Sequence, residues 1–345
     1  MFKPLCFQTE IIETDSKELH NLLLGEKEIV FVIDKKVLNL NPSLLSGFAD
    51  QRIIPVHATE EIKSFAHAQT LITQFHQLGV NRSTIVCGIG GGITTDIASF
   101  VASIYKRGTR LWLIPTTVIA MADAAIGGKT AVNFEGTKNE IGTFYPAEKV
   151  FYNPEFLQTL PYTEKHNGLF ELLKISFIDD NVKLGRQIFT DGLSMKLILT
   201  SVHAKLKICI NDLSDRGDRR KLNLGHTFGH LIESIYKYKI PHGFAVGLGL
   251  RIALRCSREY ELINDETFTA IEKRLSQIPL TVFLDPETLS KIKEQGKEIL
   301  LADKKNTDKL TLVLFKGLKP DIVVHSIDYS DRVLEIIIEE LGKQC

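Results

Sequence analysis

The residues able to do chemistry gather in a few short stretches. The densest is Asn223-Leu-Gly-His226-Thr-Phe-Gly-His230, followed by Pro241-His242-Gly243. Histidines four residues apart share one face of a helix, a known arrangement of metal ligands. His242 follows His226 by sixteen residues, and Glu171 in LFELLK offers a carboxylate. The plainer alternative is histidines that cap a helix or fill a core. Three so close together favour a site, but spacing alone leaves open which three groups hold the ion. Just upstream lies Asp215-Arg-Gly-Asp-Arg219-Arg220-Lys221. The arginine fork suits a carboxylate or phosphate, although such a run is commonly a solvated loop.

Two further stretches suit anions. Gly88-Ile-Gly-Gly-Gly-Ile-Thr-Thr-Asp96 follows an apolar run. Glycines there let backbone approach a ligand, and a helix N-terminus favours phosphate. The spacing departs from G-x-G-x-x-G, so nucleotide binding and a tight strand-to-helix turn both stay open. Pro115-Thr116-Thr117 leads on to Gly127-Gly128-Lys129-Thr130, which resembles the end of a phosphate loop. Asp123 stands where that motif needs its first glycine, which argues against a nucleoside triphosphatase. Lys129, Asn133, Lys138 and Asn139 nevertheless make a plausible oxyanion pocket, with a solvated loop as the alternative. The pair Lys304-Lys305 in DKKN means little alone.

The elements that must position these residues change character along the chain. EIVFVID, STIVCGIG and RLWLIP are nearly continuous apolar runs, as strands covered on both faces would be. A helix is expected at about 60–78, and another in TTDIASFVASIYKRG with Thr94 or Thr95 as its cap. This rhythm predicts a parallel α/β sheet. From about residue 156 long amphipathic stretches dominate, at 162–178, 194–212, 226–239, 244–261, 266–276 and 286–302, with a β-pair at 309–315 and 321–327. The expected division is therefore residues 1–155, an α/β domain, and 156–345, a mainly helical domain.

Composition narrows the class. The 345 residues carry 42 Lys plus Arg and 42 Asp plus Glu, and 44% are hydrophobic. Zero formal charge argues against bulk nucleic-acid binding, which needs a basic field. No apolar run is long enough to span a bilayer, and MFKPLCFQTEIIETD lacks a signal core. The five cysteines are widely spaced, as reduced thiols would be, so a cytoplasmic protein is expected.

Taken together, PTTVIAMADAAIGGKTAVN, GTKNEIG, LNLGHTFGH with PHG after it, and DKKN resemble the 3-dehydroquinate synthase family of sugar phosphate cyclases over about residues 28–318. The resemblance implies that family's fold, an NAD-binding α/β domain over 1–155 and a helical metal- and substrate-binding domain over 156–345, with an active site in the cleft between them, usually in a homodimer. It implies zinc ligands Glu171, His226 and His242, cobalt suiting the same donors, and it makes His230 a phosphate-side catalytic histidine instead of a ligand. NAD contacts would come from Asp34, Glu60, Lys63, Gly91, Gly92, Asp96, Thr116, Thr117, Asp123 and Lys138. Substrate contacts would come from Lys129, Asn139, Lys174, Lys205, Arg219, Asn223 and one of Lys304 and Lys305. Arg107 would reach the neighbouring subunit's phosphate site.

The implied reaction turns 3-deoxy-D-arabino-heptulosonate 7-phosphate into 3-dehydroquinate and phosphate. It proceeds by transient NAD-dependent oxidation, β-elimination of phosphate, re-reduction and intramolecular aldol closure, in the shikimate route to aromatic amino acids. Relatives that cyclise sedoheptulose 7-phosphate or glucose 6-phosphate, a metal-dependent polyol dehydrogenase, and a non-catalytic paralogue are the alternatives. Arg219, as a partner for a substrate carboxylate, favours the heptulosonate. The chain departs from the family pattern at Thr95, usually Gly, at Ala124-Ala125, often Ser-Ser, and in LLKISF. The largest departure is Phe244, where HGE is usual and a glutamate could orient a ligand.

Overall fold

The computed structural model describes residues 9–135, 137–185, 188, 192–237, 239–280, 286–302, 309–317 and 321–343. The chain forms two compact units: Met1–Lys165 with Lys205–Ser214, and His166–Ala204 with Asp215–Cys345. The division falls ten residues after the expected 155/156, inside one continuous helix, and a short later segment rejoins the first unit. A change of periodicity marks where the helix begins, whereas packing decides which unit each turn belongs to.

The first unit is α/β. In chain order it runs β1 (Glu10–Glu13), α1 (Ser16–Leu24), β2 (Ile29–Asp34), α2 (Lys35–Leu40), β3 (Ile53–Val56), α3 (Phe65–Gln77), β4 (Ile85–Gly90), α4 (Gly92–Ile104), β5 (Arg110–Pro115), β6 (Lys129–Phe134), β7 (Thr137–Phe144), β8 (Lys149–Tyr152) and α5 (Phe156–Thr159). Six strands form one parallel sheet in the order β1-β8-β5-β4-β2-β3. Its central strands are apolar throughout because both faces are covered: β4 is buried at every residue and β2 at all but Asp34. The sheet extends outward from β2 to β3, then returns to β4 on β2's other side. Loops leaving β2 and β4 therefore diverge, which opens a crevice at their C-terminal ends. The strand β6 and the strand β7 pair antiparallel as a separate hairpin where sequence suggested a loop, with many exposed positions.

The second unit is helical. It contains most of α6 (Tyr162–Ser176) and the start of α7 (Met195–Asn211). It continues with α8 (His226–Ile235), α9 (His242–Glu259), α10 (Asp265–Leu275), α11 (Pro286–Ala302), β9 (Lys309–Lys316), β10 (Asp321–Asp328) and α12 (Asp331–Gly342). The centre of this unit is α9, packed by α8, α10, α12 and β9. It is buried almost all round, which is why its sequence shows no polar stripe over Phe244–Leu250. The strands β9 and β10 form an antiparallel pair, as expected. Among the described residues no helix is long and apolar enough to cross a membrane.

Candidate active site

In the helical unit, three helices bring Glu171, His226 and His242 together, with one ligand atom from each lying within 4.8 Å of the others. The glycines of the histidine motif set this spacing. Gly225 is left-handed (φ 78°), and a Cβ at Gly249 of α9 would fall 2.0 Å from its carbonyl oxygen. Only bare backbone lets α8 approach α9 so closely. The third helix is tied in by Asn167, whose Oδ1 accepts from Gly243 N at 2.7 Å. Glu171 lies one turn further along the same face of α6 and so meets His242.

The geometry suits a metal ion. A tetrahedral ion with bonds of about 2.0–2.1 Å separates its ligand atoms by roughly 3.4 Å. Glu171 Oε1 lies 3.5 Å from His226 Nε2 and 3.2 Å from His242 Nε2. Both Nδ1 atoms face groups that can only accept: Leu224 O for His226 and the Glu233 carboxylate for His242, each at 3.2 Å. Each ring thus donates through Nδ1 and turns Nε2 toward Glu171. Burial pushes His226 down to about 3, helped by the Lys174 ammonium. Burial opposes charge on His242 as well, but hydrogen bonds to Glu171 and Glu233 outweigh it and hold the ring up at about 10. One carboxylate and two imidazoles are the donor set of an open catalytic zinc site, and cobalt takes the same donors.

Lys174 Nζ lies 2.6 Å from Glu171 Oε2, and both side chains are buried. His230, exposed on α8, has its ring 5.5 Å from that of His226 and 6.3 Å from that of His242. Arg219 is fully buried on the turn Asp218–Asn223 that leads into α8, a burial no solvated loop would give it. Asn223 ends that turn. Phe244 packs on the rings of His166 and Phe170, with centroids 5.3 and 5.4 Å apart. Lys304 and Lys305 lie outside the described residues.

The α/β unit gathers the other candidates at the crevice. The helix α4 starts at Gly92, with Gly91 as its N-cap and no side-chain cap. Thr94 and Thr95 are thus not caps: they sit within the helix, and Thr95 Oγ1 donates to Gly91 O and Gly92 O. The glycines let the helix begin earlier than the threonines suggested. A Cβ at Gly91 would fall 3.1 Å from Thr117 Cγ2, and one at Gly90 2.8 Å from Thr94. This bare cradle, with uncapped N–H groups at the C-terminal end of β4, suits a cofactor phosphate. Thr116 N donates to Gly90 O, while Thr117 Oγ1 accepts from Ala120 N at the head of a π-helical turn, Ala120–Ala124.

That turn carries Asp123, which binds Lys205 Nζ at 2.7 Å. Asp34 ends β2 and caps α2 through Lys36 N. Lys63 pairs with Asp96 and also donates to Asn139 Oδ1, both at 2.5 Å. Burial raises the Asp96 carboxyl, and Lys63 only partly draws it back. Lys138 lies 3.7 Å from Glu60. Asn133 joins this group: its amide donates to Glu60, its Oδ1 accepts from Asn139 N, and its backbone N donates to Lys63 O. Asn139, expected on the substrate side, is thus hydrogen-bonded to Lys63 and Asn133 beside the cofactor candidates. Lys129 opens β6 and is exposed, as is Arg107, whose φ of 64° is left-handed. Sequence singled out neither Asn167 nor Glu233, and it read Asn133 only as one of a polar loop. A polar residue four or seven positions from a ligand on one helix face is the signal that could have found the first two.

Comparison with known proteins identifies the family. Residues 53–167 match the 3-dehydroquinate synthase N-terminal domain and residues 168–306 the C-terminal domain. A 3-dehydroquinate synthase of Thermococcus kodakarensis is 46% identical over 285 residues, 82% of this chain and 81% of that protein. Among solved structures, a 2-deoxy-scyllo-inosose synthase complexed with carbaglucose-6-phosphate, NAD+ and Co2+ superposes with a TM-score of 0.82. It is 23% identical, over 98% of this chain and 100% of that one. A 2-epi-5-epi-valiolone synthase from Streptomyces hygroscopicus with NAD+ and Zn2+ bound gives 0.82 at 24% identity, over 100% and 99%. The two structures share the fold; the two domain matches and the archaeal relative carry the assignment, and on them this chain belongs to the 3-dehydroquinate synthase family.

Proposed function

We propose that the chain converts 3-deoxy-D-arabino-heptulosonate 7-phosphate to 3-dehydroquinate and phosphate. The observation that carries the reading is the Glu171–His226–His242 cluster, at tetrahedral spacing beside a buried lysine, within a chain of this family. When bound, NAD would supply a reversible hydride acceptor, and a divalent ion would supply a Lewis acid for a substrate hydroxyl. Glu171, His226 and His242 hold the ion, zinc or cobalt. The cradle at Gly91-Gly92 binds cofactor phosphate, flanked by Thr116 and Thr117, and Asp34, Glu60, Lys63, Asp96, Asp123 and Lys138 orient the rest.

Buried Arg219 and Lys174 set a positive field for the substrate's carboxylate and oxyanions inside the helical unit. Lys205, Lys129, Asn139, Asn223 and the Lys304-Lys305 pair complete the substrate contacts, and His230 serves the phosphate side. The substrate's own phosphate is the base for its elimination. The first unit is the NAD domain and the second the metal and substrate domain. The protein works as a cytoplasmic homodimer, with Arg107 reaching the partner's phosphate site.

The test is phosphate release from the heptulosonate phosphate with a divalent ion and catalytic NAD, and with sedoheptulose 7-phosphate in parallel. Turnover of the first, with dehydroquinate absorbing and no reduced nicotinamide building up, is expected. Turnover of only the second moves the chain to a sister cyclase. Accumulating reduced nicotinamide would make it a dehydrogenase instead.

A further inference from the structure

We propose that Glu233 is a positioning residue of the metal centre, holding the His242 ring by Nδ1 so that Nε2 faces Glu171. The proposal rests on the metal reading above. His242 opens α9, where its side chain is still 30% exposed, so packing alone leaves its ring rotation loosely held. Glu233 is 2% exposed, and a buried carboxylate needs a fixed donor. Its Oε2 lies 3.2 Å from His242 Nδ1, while the ring's other nitrogen lies 3.2 Å from Glu171. The ring is thus gripped on both sides by acceptors. Because Glu233 is seven residues after His226 on α8, one helix face carries both the first imidazole and the support of the second. Phe244, two residues after His242 in α9, offers no substitute: it is turned into the rings of His166 and Phe170. The carboxylate that orients His242 therefore comes from the preceding helix.

Metal-free wild type, E233A, E233Q and E233D would be titrated with Co2+ and Zn2+ against a chromophoric chelator, and the Co2+ ligand-field spectrum recorded. Loss of a group that orients a ligand typically weakens metal binding about 10–100-fold, and that loss is expected for E233A with a shifted Co2+ band. E233Q keeps an acceptor at the same reach and should recover most of the affinity and the native band. E233D keeps the charge but withdraws the oxygen, and should resemble E233A. Should E233A not fold, the contrast between E233Q and E233D carries the same test. Wild-type affinity and spectrum in both, or E233D binding better than E233Q, would overturn the proposal. Failure of the wild type itself to bind one ion per chain would instead overturn the metal reading.

Discussion

The metal cluster and the glycine-turn crevice bring polar groups together by different means. Around Glu171 the groups ride on α6, α8 and α9, and backbone contacts at Gly225, Gly243 and Gly249 set the distances. Around Lys63 the groups ride on turns, the start of α4 and a hairpin, and ion pairs and hydrogen bonds set the distances. The first is fixed by packing, which yields in steps; the second by charge, which answers to partner and pH. That difference predicts how each should break.

The largest effect should come from the ligands. His226→Ala leaves two of three donors, so metal and activity should be lost together, by about 10³-fold or more in turnover if the ion contributes several kcal/mol. Elemental analysis beside the phosphate-release assay checks this, and full metal content in the variant would refute the ligand assignment. Next comes spacing. Gly249→Ala puts a Cβ 2.0 Å from Gly225 O, which only separation of α8 and α9 can relieve. We expect a loss near the upper end of the 1–3 kcal/mol typical of overpacking, with weakened metal binding and unchanged NAD affinity. NAD affinity falling in step with metal affinity would break the contrast.

The charge-held group should respond to pH. Asp96 is raised above its ordinary 3.8 by burial, so the folded state holds its proton longer than the unfolded chain. Stability contributed by this group is therefore undiminished below 3.8 and falls as pH rises toward the folded value. Lys63→Met removes the ammonium that draws the carboxyl back, so the window should widen upward. At neutral pH the cost should be about 2–3 kcal/mol, less than the 3–5 of a sealed pair because Asp96 can take a proton. Urea unfolding from pH 4 to 8 measures it. A variant whose stability tracks wild type across that range would show that packing, not charge, holds this region too.

Legibility followed the same division. The helices of the second unit announced themselves by period, and α11 matches the expected 286–302 because its apolar stripe runs its full length. The central strands were legible as unbroken apolar runs. The hairpin β6–β7 was not, since β6 buries only Thr130 and Val132 and β7 buries no residue, so no continuous apolar run marks it. At the site, the residue types were visible in the sequence but their mutual spacing was not. Both His226 and His230 share a face of α8, yet only His226 turns toward Glu171, a choice made by Leu224 O and by the approach of α9. Helix-face spacing could flag Asn167 and Glu233, but it could not name their partners, nor that of Asn133, because these lie on other elements.

The smallest effect sharpens the comparison most. Phe244 stands two residues after the candidate ligand His242, where the family resemblance leads one to expect glutamate, yet it is buried against His166 and Phe170. If packing and metal support are separate duties there, Phe244→Leu should cost only the aromatic contacts, about 0.5–1.5 kcal/mol. The melting temperature should fall by a few degrees, about 2–4 °C for each kcal/mol at this size. Metal affinity, the Co2+ spectrum and turnover should stay at wild-type values, because His242 is held from α8 and not from its own helix. A Phe244→Leu variant that lost metal as readily as Glu233→Ala would instead place residue 244 among the groups that orient the ion. The cluster's geometry would then depend on side-chain filling as much as on the backbone contacts of its glycines.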